Sequence, residues 1–263
     1  MSNPKNMSPS ELRKLFRQNG LVAPTAGMAE GFAQANLAII PRELAFDFML
    51  FAQRNPKPCP ILDVIEPGKV EPISMGQGAD IRTDIPKYRV YEKGILIAEV
   101  TDLLNYWRED LVCFLLGCSF SFETALLKAG IPVRHIEENC NVPMFISNIQ
   151  CKPAGFFHGP MVVTMRPIPQ AQVVRAVQVT SRFPAVHGAP IHIGDPAVIG
   201  IKDLSQPNFG DSVTIRDGEI PVFWACGVTP QAVAMATKPD LMITHAPGHM
   251  FICDVRDEDL AVI

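Results

Sequence analysis

Two histidines, His245 and His249, stand four residues apart in the stretch ITHAPGHM, residues 243–250. Histidines at that spacing hold a metal when a helix stacks them on one face. Pro247 and Gly248 lie between them and forbid that helix, so a turn is expected instead. The apolar residues on either side read as short strands, which places the pair on a rigid turn at a strand end. Such a position suits acid/base chemistry or substrate contact better than metal ligation.

Other residue types with reactive potential fall into four stretches. GCSFSFE, residues 117–123, leaves an apolar run and enters a helix, so the N–H groups around Ser119 and Ser121 suit a carboxylate or a developing oxyanion. It departs from a nucleophile elbow, because Ser121 stands where the second glycine belongs, and ordinary helix capping with Glu123 in the first turn accounts for the same residues. FWACGVTPQ repeats that logic, with Cys226 and Gly227 before Thr229 as cap and Pro230 in the first turn. Cys226 is a candidate nucleophile there or an inert thiol, and Gly227 and Thr229 are candidate ligand contacts. Arg182, His187, His192 and Asp195 in SRFPAVHGAPIHIGDP, with Arg134, His135 and Glu137 in IPVRHIEE, are material for a polar acid/base pocket, and their spacing matches no metal signature. Arg82 and Arg166 carry the fork that a carboxylate substrate needs, or pair with acids such as Asp80 and Asp84.

These groups require a frame. With 263 residues, 48% apolar and 19% charged, the chain can bury a large core. A net charge of −4 without a basic cluster argues against nucleic acid, and no apolar run approaches the roughly 20 residues of a membrane span. Seven cysteines without a CxxC pair suggest neither a zinc ribbon nor a disulfide framework, and the start of the chain lacks a secretory core, so a cytoplasmic location is expected. Proline, at 24 residues, is about twice its usual share of roughly 5%, so many connections must be short rigid turns.

Helices are expected at residues 8–19, over MAEGFAQANLAII, over RELAFDFMLFAQRN, at 102–107, after residue 119 and after Pro169. Strands are expected at ILDVI, LVCFLLG, PMVVTM, PIHIG, AVIGI, PVFWACG, LMITHA and MFICDV. Helices and strands alternate, so the class is α/β. The Gly- and Pro-rich stretch 66–95 reads as a functional loop or a surface excursion tied down by Tyr88 and Tyr91. No internal repeat is visible, and a smaller subdomain is placed at 131–205, inserted between 1–130 and 206–263.

The stretches AFDFMLFAQRNPKPCPILDV, ADIRTDIPKYRVY, FLLGCSFSFE, GIPVRHIEE, RFPAVHGAPIHIGDP, PVFWACGVTPQ and ITHAPGHM together resemble the bacterial hydro-lyases related to D-glutamate cyclase, from about residue 8 to 254. The resemblance implies a three-layer α/β/α domain with a smaller two-layer α/β piece. It implies a lyase that eliminates water, as when the amine of D-glutamate attacks its own side-chain carboxyl to give 5-oxo-D-proline. No organic cofactor is needed, and a divalent metal is the lesser option. Chemistry then assigns candidates: His245 or His249 as base, Glu137 or Asp195 as acid, residues 119–121 and Gly227 as oxyanion donors, Arg82 or Arg182 as carboxylate anchor. Two other readings stay open, an acyl hydrolase or transferase using Cys226 or Ser119, and a non-catalytic binder of a small carboxylate. The expected partner is a small carboxylate or amino acid, and a homo-oligomer is suggested only by how common oligomers are.

Overall fold

Secondary structure runs α1 (Pro9–Arg17), β1 (Phe32–Pro41), α2 (Arg42–Arg54), β2 (Ile61–Ile65), β3 (Tyr88–Glu92), β4 (Ile95–Val100), β5 (Leu111–Gly117), α3 (Phe120–Lys128), α4 (Arg134–Glu137), β6 (Met144–Gln150), β7 (Pro160–Pro169), α5 (Val173–Ser181), β8 (His192–Ile193), β9 (Glu219–Ala225), α6 (Thr229–Thr237), β10 (Met242–His245) and β11 (Phe251–Arg256). The structure is a computed structural model and describes residues 3–262. The class is mixed α/β, as the alternation implies. One sheet has the order β2-β5-β1-β10-β3-β4 with β11 also beside β1, and the other has the order β6-β7-β9-β8. Neighbouring strands in both sheets are antiparallel. The second sheet therefore draws on residues 144–225, and β9 lies beyond the 131–205 segment. No described helix is long and apolar enough to cross a membrane.

Local chemistry explains most elements. α1 starts with a capping box between Ser8 and Glu11 and Pro9 in its first turn, and it buries Leu12 and Phe16. Four expectations fail, one being the loop read over 66–95, whose last part is β3, an interior strand between β10 and β4. MAEGFAQANLAII is largely β1, a central strand paired to β5 on one side and to β10 and β11 on the other. Its alanines favour helix, but burial on both faces hides the alternation that marks a strand, and pairing on both edges overrides propensity. Residues 102–107 form turns instead of a helix, and AVIGI holds a 3-10 turn (Pro196–Ile199) that Asp195 caps and Gly200 ends at φ 81°.

One face of the first sheet carries α2 and α6, through Phe48, Phe51, Val233 and Ala234 against Ala38, Ile40 and Phe114. The opposite face is covered by loop residues Ala79, Ile81, Ile85 and Leu103. Tyr88 ties that loop down, donating to the Ile81 carbonyl at 2.8 Å and accepting from the Ile85 N–H at 3.1 Å.

Contrary to the sequence reading, the chain contains a repeat. The series β1-α2-β2-β5-α3 recurs as β7-α5-β8-β9-α6, with sheet order β2-β5-β1 matched by β8-β9-β7. Registers agree: Ala35 faces Gly117 where Val163 faces Ala225, and Pro41 faces Leu111 where Pro169 faces Glu219. The terminal helices are exchanged. α3 leaves the first sheet and packs Phe122 and Leu126 on Ile168, Val222 and Trp224 of the second, while α6 leaves the second and packs on the first.

Candidate active site

Where the two units meet, a small cavity is lined almost wholly by equivalent residues. Asn36 and Thr164, Cys118 and Cys226, Ser119 and Gly227, Phe120 and Val228, Met144 and Met250, Val142 and Gly248 occupy matching places, and His187 alone has no counterpart. Equivalent surfaces facing each other require an approximate two-fold relation. The cavity offers about 10 Å³ for the centre of a water-sized molecule, room for about one water.

The repeat also explains two serine-type side chains. Ser121 Oγ accepts the Gln34 N–H at 2.9 Å, and Thr229 Oγ1 accepts the Val162 N–H at 3.1 Å. Both fasten a helix start to the first strand of their own unit. Cys226 lines the cavity, and burial pushes its thiol up to about 12, opposite to the lowering that activates a nucleophilic cysteine. Ser119 Oγ accepts from Arg166 at 3.0 Å. Arg166, fully buried between the Phe122 and Trp224 rings, also bonds Thr164 and Glu123. Burial works to raise the Glu123 carboxyl, but His135 and Arg166 outweigh it and the net shift is downward.

His187 Nδ1 lies 2.6 Å from the Lys57 carbonyl, which can only accept, so Nδ1 holds the proton and Nε2 is a buried lone pair without a partner. Burial holds this ring down at about 4. His245 serves the sheet: where β10 gives way to β11, its Nδ1 accepts the Leu37 N–H at 3.0 Å, and burial holds it at about 3. It lines neither the cavity nor the cleft described next.

The turn between β10 and β11 divides the cavity from an open cleft. Gly248, at φ 81°, lines the cavity, while Pro247 and His249 line the cleft with Lys87, Arg89, Glu99, Asn141, Phe209 and Asp211. A Cβ at Gly248 would lie 2.4 Å from Asn141 Oδ1, so only glycine lets the turn rest on that side chain. Asn141 donates from Nδ2 to the Pro247 carbonyl at 3.1 Å and from its backbone to Asp211 at 2.9 Å, and its buried Oδ1 has no partner. Arg89 donates to Glu99 at 2.7 Å and to Gln231 at 3.3 Å, with Lys87 3.9 Å from the same Glu99. His249 Nδ1 is 3.0 Å from the Pro247 carbonyl, which leaves Nε2 as the basic nitrogen. Burial first, with Lys87 and Arg89 adding, lowers its pKa against the pull of the Pro247 bond and Glu99. The cleft offers about 420 Å³, within the range of small-molecule sites.

The remaining candidates lie elsewhere. Arg82 pairs with Asp80 at 2.7 Å and stacks near Trp107 on the loop-covered side. Glu137 is claimed by Arg134 at 2.9 Å and Arg216 at 3.8 Å. Asp195 accepts from the Ala197 N–H at 2.9 Å as a cap, and His192 Nε2 sits 2.7 Å from the Asp195 carbonyl. Arg182 is exposed at the end of α5 and lines a different trench. Among the described residues no group of three or more His, Cys, Asp or Glu side chains is placed to hold a metal ion.

The family model described as D-glutamate cyclase matches residues 112–254, which carry most of both sites. The chain belongs to the D-glutamate cyclase family. Full-length bacterial relatives agree: proteins named "Putative hydro-lyase" are 66% identical in Psychrobacter arcticus and 67% identical in Geobacillus kaustophilus, each over 98% of both chains. The Bacillus subtilis relative YcsI, with the same designation, is 63% identical over 98% of this chain and 100% of its own. Within the cleft, Lys87, Arg89, Asn141 and Asp211 escaped sequence reasoning. Lys87 and Arg89 alternate with Tyr88 and Val90 in a strand pattern that marks a shared face, but nothing in sequence joins Asn141 to Asp211 or either to His249.

Proposed function

We propose that the cleft beside His249 is the catalytic site of a water-eliminating lyase acting on an amino dicarboxylic acid, with D-glutamate converted to 5-oxo-D-proline. The observation that carries this reading is His249 itself. Its orientation is fixed by the Pro247 carbonyl, it lines an open cleft of substrate size, and cations and acids surround it. An amino dicarboxylate carries both signs of charge, and this cleft offers both: Lys87 and Arg89 for a carboxylate, Asp211 for an ammonium.

Cyclisation moves two protons from the substrate nitrogen to one carboxyl oxygen. His249 Nε2 takes the first from the ammonium, the free amine attacks the side-chain carboxyl carbon, and the imidazolium returns the proton to the oxygen of the tetrahedral intermediate. A second passage of the same kind breaks the C–O bond and releases water. The net change is the lactam plus water, with His249 restored, so one shuttling imidazole serves as both base and acid. Arg89 holds the carboxylate that does not react.

Incubation with D-glutamate, L-glutamate and 5-oxo-D-proline, followed by chiral chromatography, tests the reading. His249→Gln is expected to lower kcat by about 100-fold or more, and Arg89→Met to raise KM. Because the His249 pKa is lowered, the acid limb of kcat/KM should fall below the ordinary imidazole value of about 6.5. Full activity in His249→Gln, or no conversion of any of the three by folded protein, would remove the proposal.

A further inference from the structure

On the far side of α3 a long trench joins two spaces, about 540 Å³ and about 240 Å³, that share Gly31, Thr124 and Asp257. Its two ends differ in charge. At the floor of the smaller space lie Glu123 and Asp257, 2% and 8% exposed, and Glu123 Oε2 and Asp257 Oδ1 are buried oxygens without a hydrogen-bond partner. A buried acceptor left unmade costs roughly 1–3 kcal/mol, more for a charged one, so each invites a donor. Burial, with the Glu123 charge adding, pushes the Asp257 carboxyl up to about 7 against the opposing pull of the Thr124 hydroxyl. The larger space is rimmed by Lys128, Arg175, Arg182 and Arg256, which outnumber the one acid beside them, Glu258, and none of the four is ion-paired among the described residues; Arg256 instead stacks on the Phe32 ring at 4.2 Å.

We propose that this trench is a second small-molecule site that binds a zwitterion, its ammonium head on Glu123 and Asp257 and its anionic tail on Lys128, Arg175 and Arg256. An ammonium brings three N–H donors, enough to satisfy both orphan oxygens, and a carboxylate or phosphate tail meets the cationic rim. A simple dianion fits less well, since its inner end would face two acids. A diamine would set its outer end against the rim. The site is separate from the His249 cleft and does not depend on the reaction assigned there.

Hydrogen-exchange mass spectrometry of the full chain tests this, with D-glutamate as zwitterionic probe, glutarate as the same carbon chain without the amine, and 1,4-diaminobutane as the amine without the acid. Glutamate is expected to protect residues 124–130, 173–183 and 254–261, at least tenfold more effectively by concentration than either control. The surface variant Arg175→Glu should lose that protection at least tenfold, as should Asp257→Asn if it folds, while His249→Gln keeps it. Equal protection by glutarate and glutamate, protection confined to residues 87–99 and 246–250, none at saturating probe, or an Arg175→Glu protein that behaves as wild type would each overturn the proposal.

Discussion

His187 and His245 are held neutral for different structural purposes, and both make the fold sensitive to acid. Each has a folded pKa, about 4 and about 3, below the unfolded value of about 6.5. Below pH 6.5 the unfolded chain therefore binds protons that the folded chain refuses, so this stability is complete above pH 6.5 and drains away as pH falls toward 4. For His187 alone this corresponds to about 3 to 4 kcal/mol, at roughly 1.4 kcal/mol per pH unit. Urea titrations at pH 7.5 and 4.5 should show a steep loss in the native protein and a visibly shallower one in His187→Asn, a residue type that tolerates the left-handed backbone found there at φ 82°. An unchanged pH slope would show that the ring does not titrate as its burial demands.

Elements place these residues by close backbone approach. Gly227 opens α6 directly against the Asn36 side chain, and a Cβ there would lie 1.9 Å from Nδ2. Asn36 in turn donates to the Gly117 carbonyl at 2.6 Å, so Gly227→Ala should disturb both helix starts at once. A loss of about 2 kcal/mol or more is expected from such overpacking, read as a lower urea midpoint with the same m-value. The sequence placed both helix starts to within a residue, because a strand-to-helix junction with Gly, Cys, Ser or Thr has a local signature, but Thr229 is the first residue of α6 and not its cap, and no side chain caps either helix. It also marked the Pro247-Gly248 turn. It misread β1, whose alanines and doubly buried faces erase the alternation, and it scattered candidates such as Arg82, Glu137 and Asp195 whose ion-pair and capping partners lie within a few residues. The cleft residues Asn141 and Asp211 were illegible for the opposite reason: their meeting with His249 is made only by tertiary contacts between distant segments. The repeat stayed hidden because its halves share a plan of hydrogen bonds and hardly any side chains.

At the scale of the whole molecule, each sheet is covered by a helix that the other sheet's unit supplies. Each unit's own helix, α2 or α5, covers only part of its sheet, so the chain should unfold in one transition, with calorimetric and van't Hoff enthalpies equal. Two separated transitions would show that the exchange of helices carries little energy. The same exchange bears on descent. A half-length ancestor with this unit would have left its sheet covered by one helix of two until a second copy lent the other, so it would have lived as an intertwined pair, with the present cavity as the seam between two identical molecules. Fusion of the two genes would have freed the halves to diverge, as the unlike pairs Asn36 and Thr164 or Ser119 and Gly227, and His187 without a twin, now display.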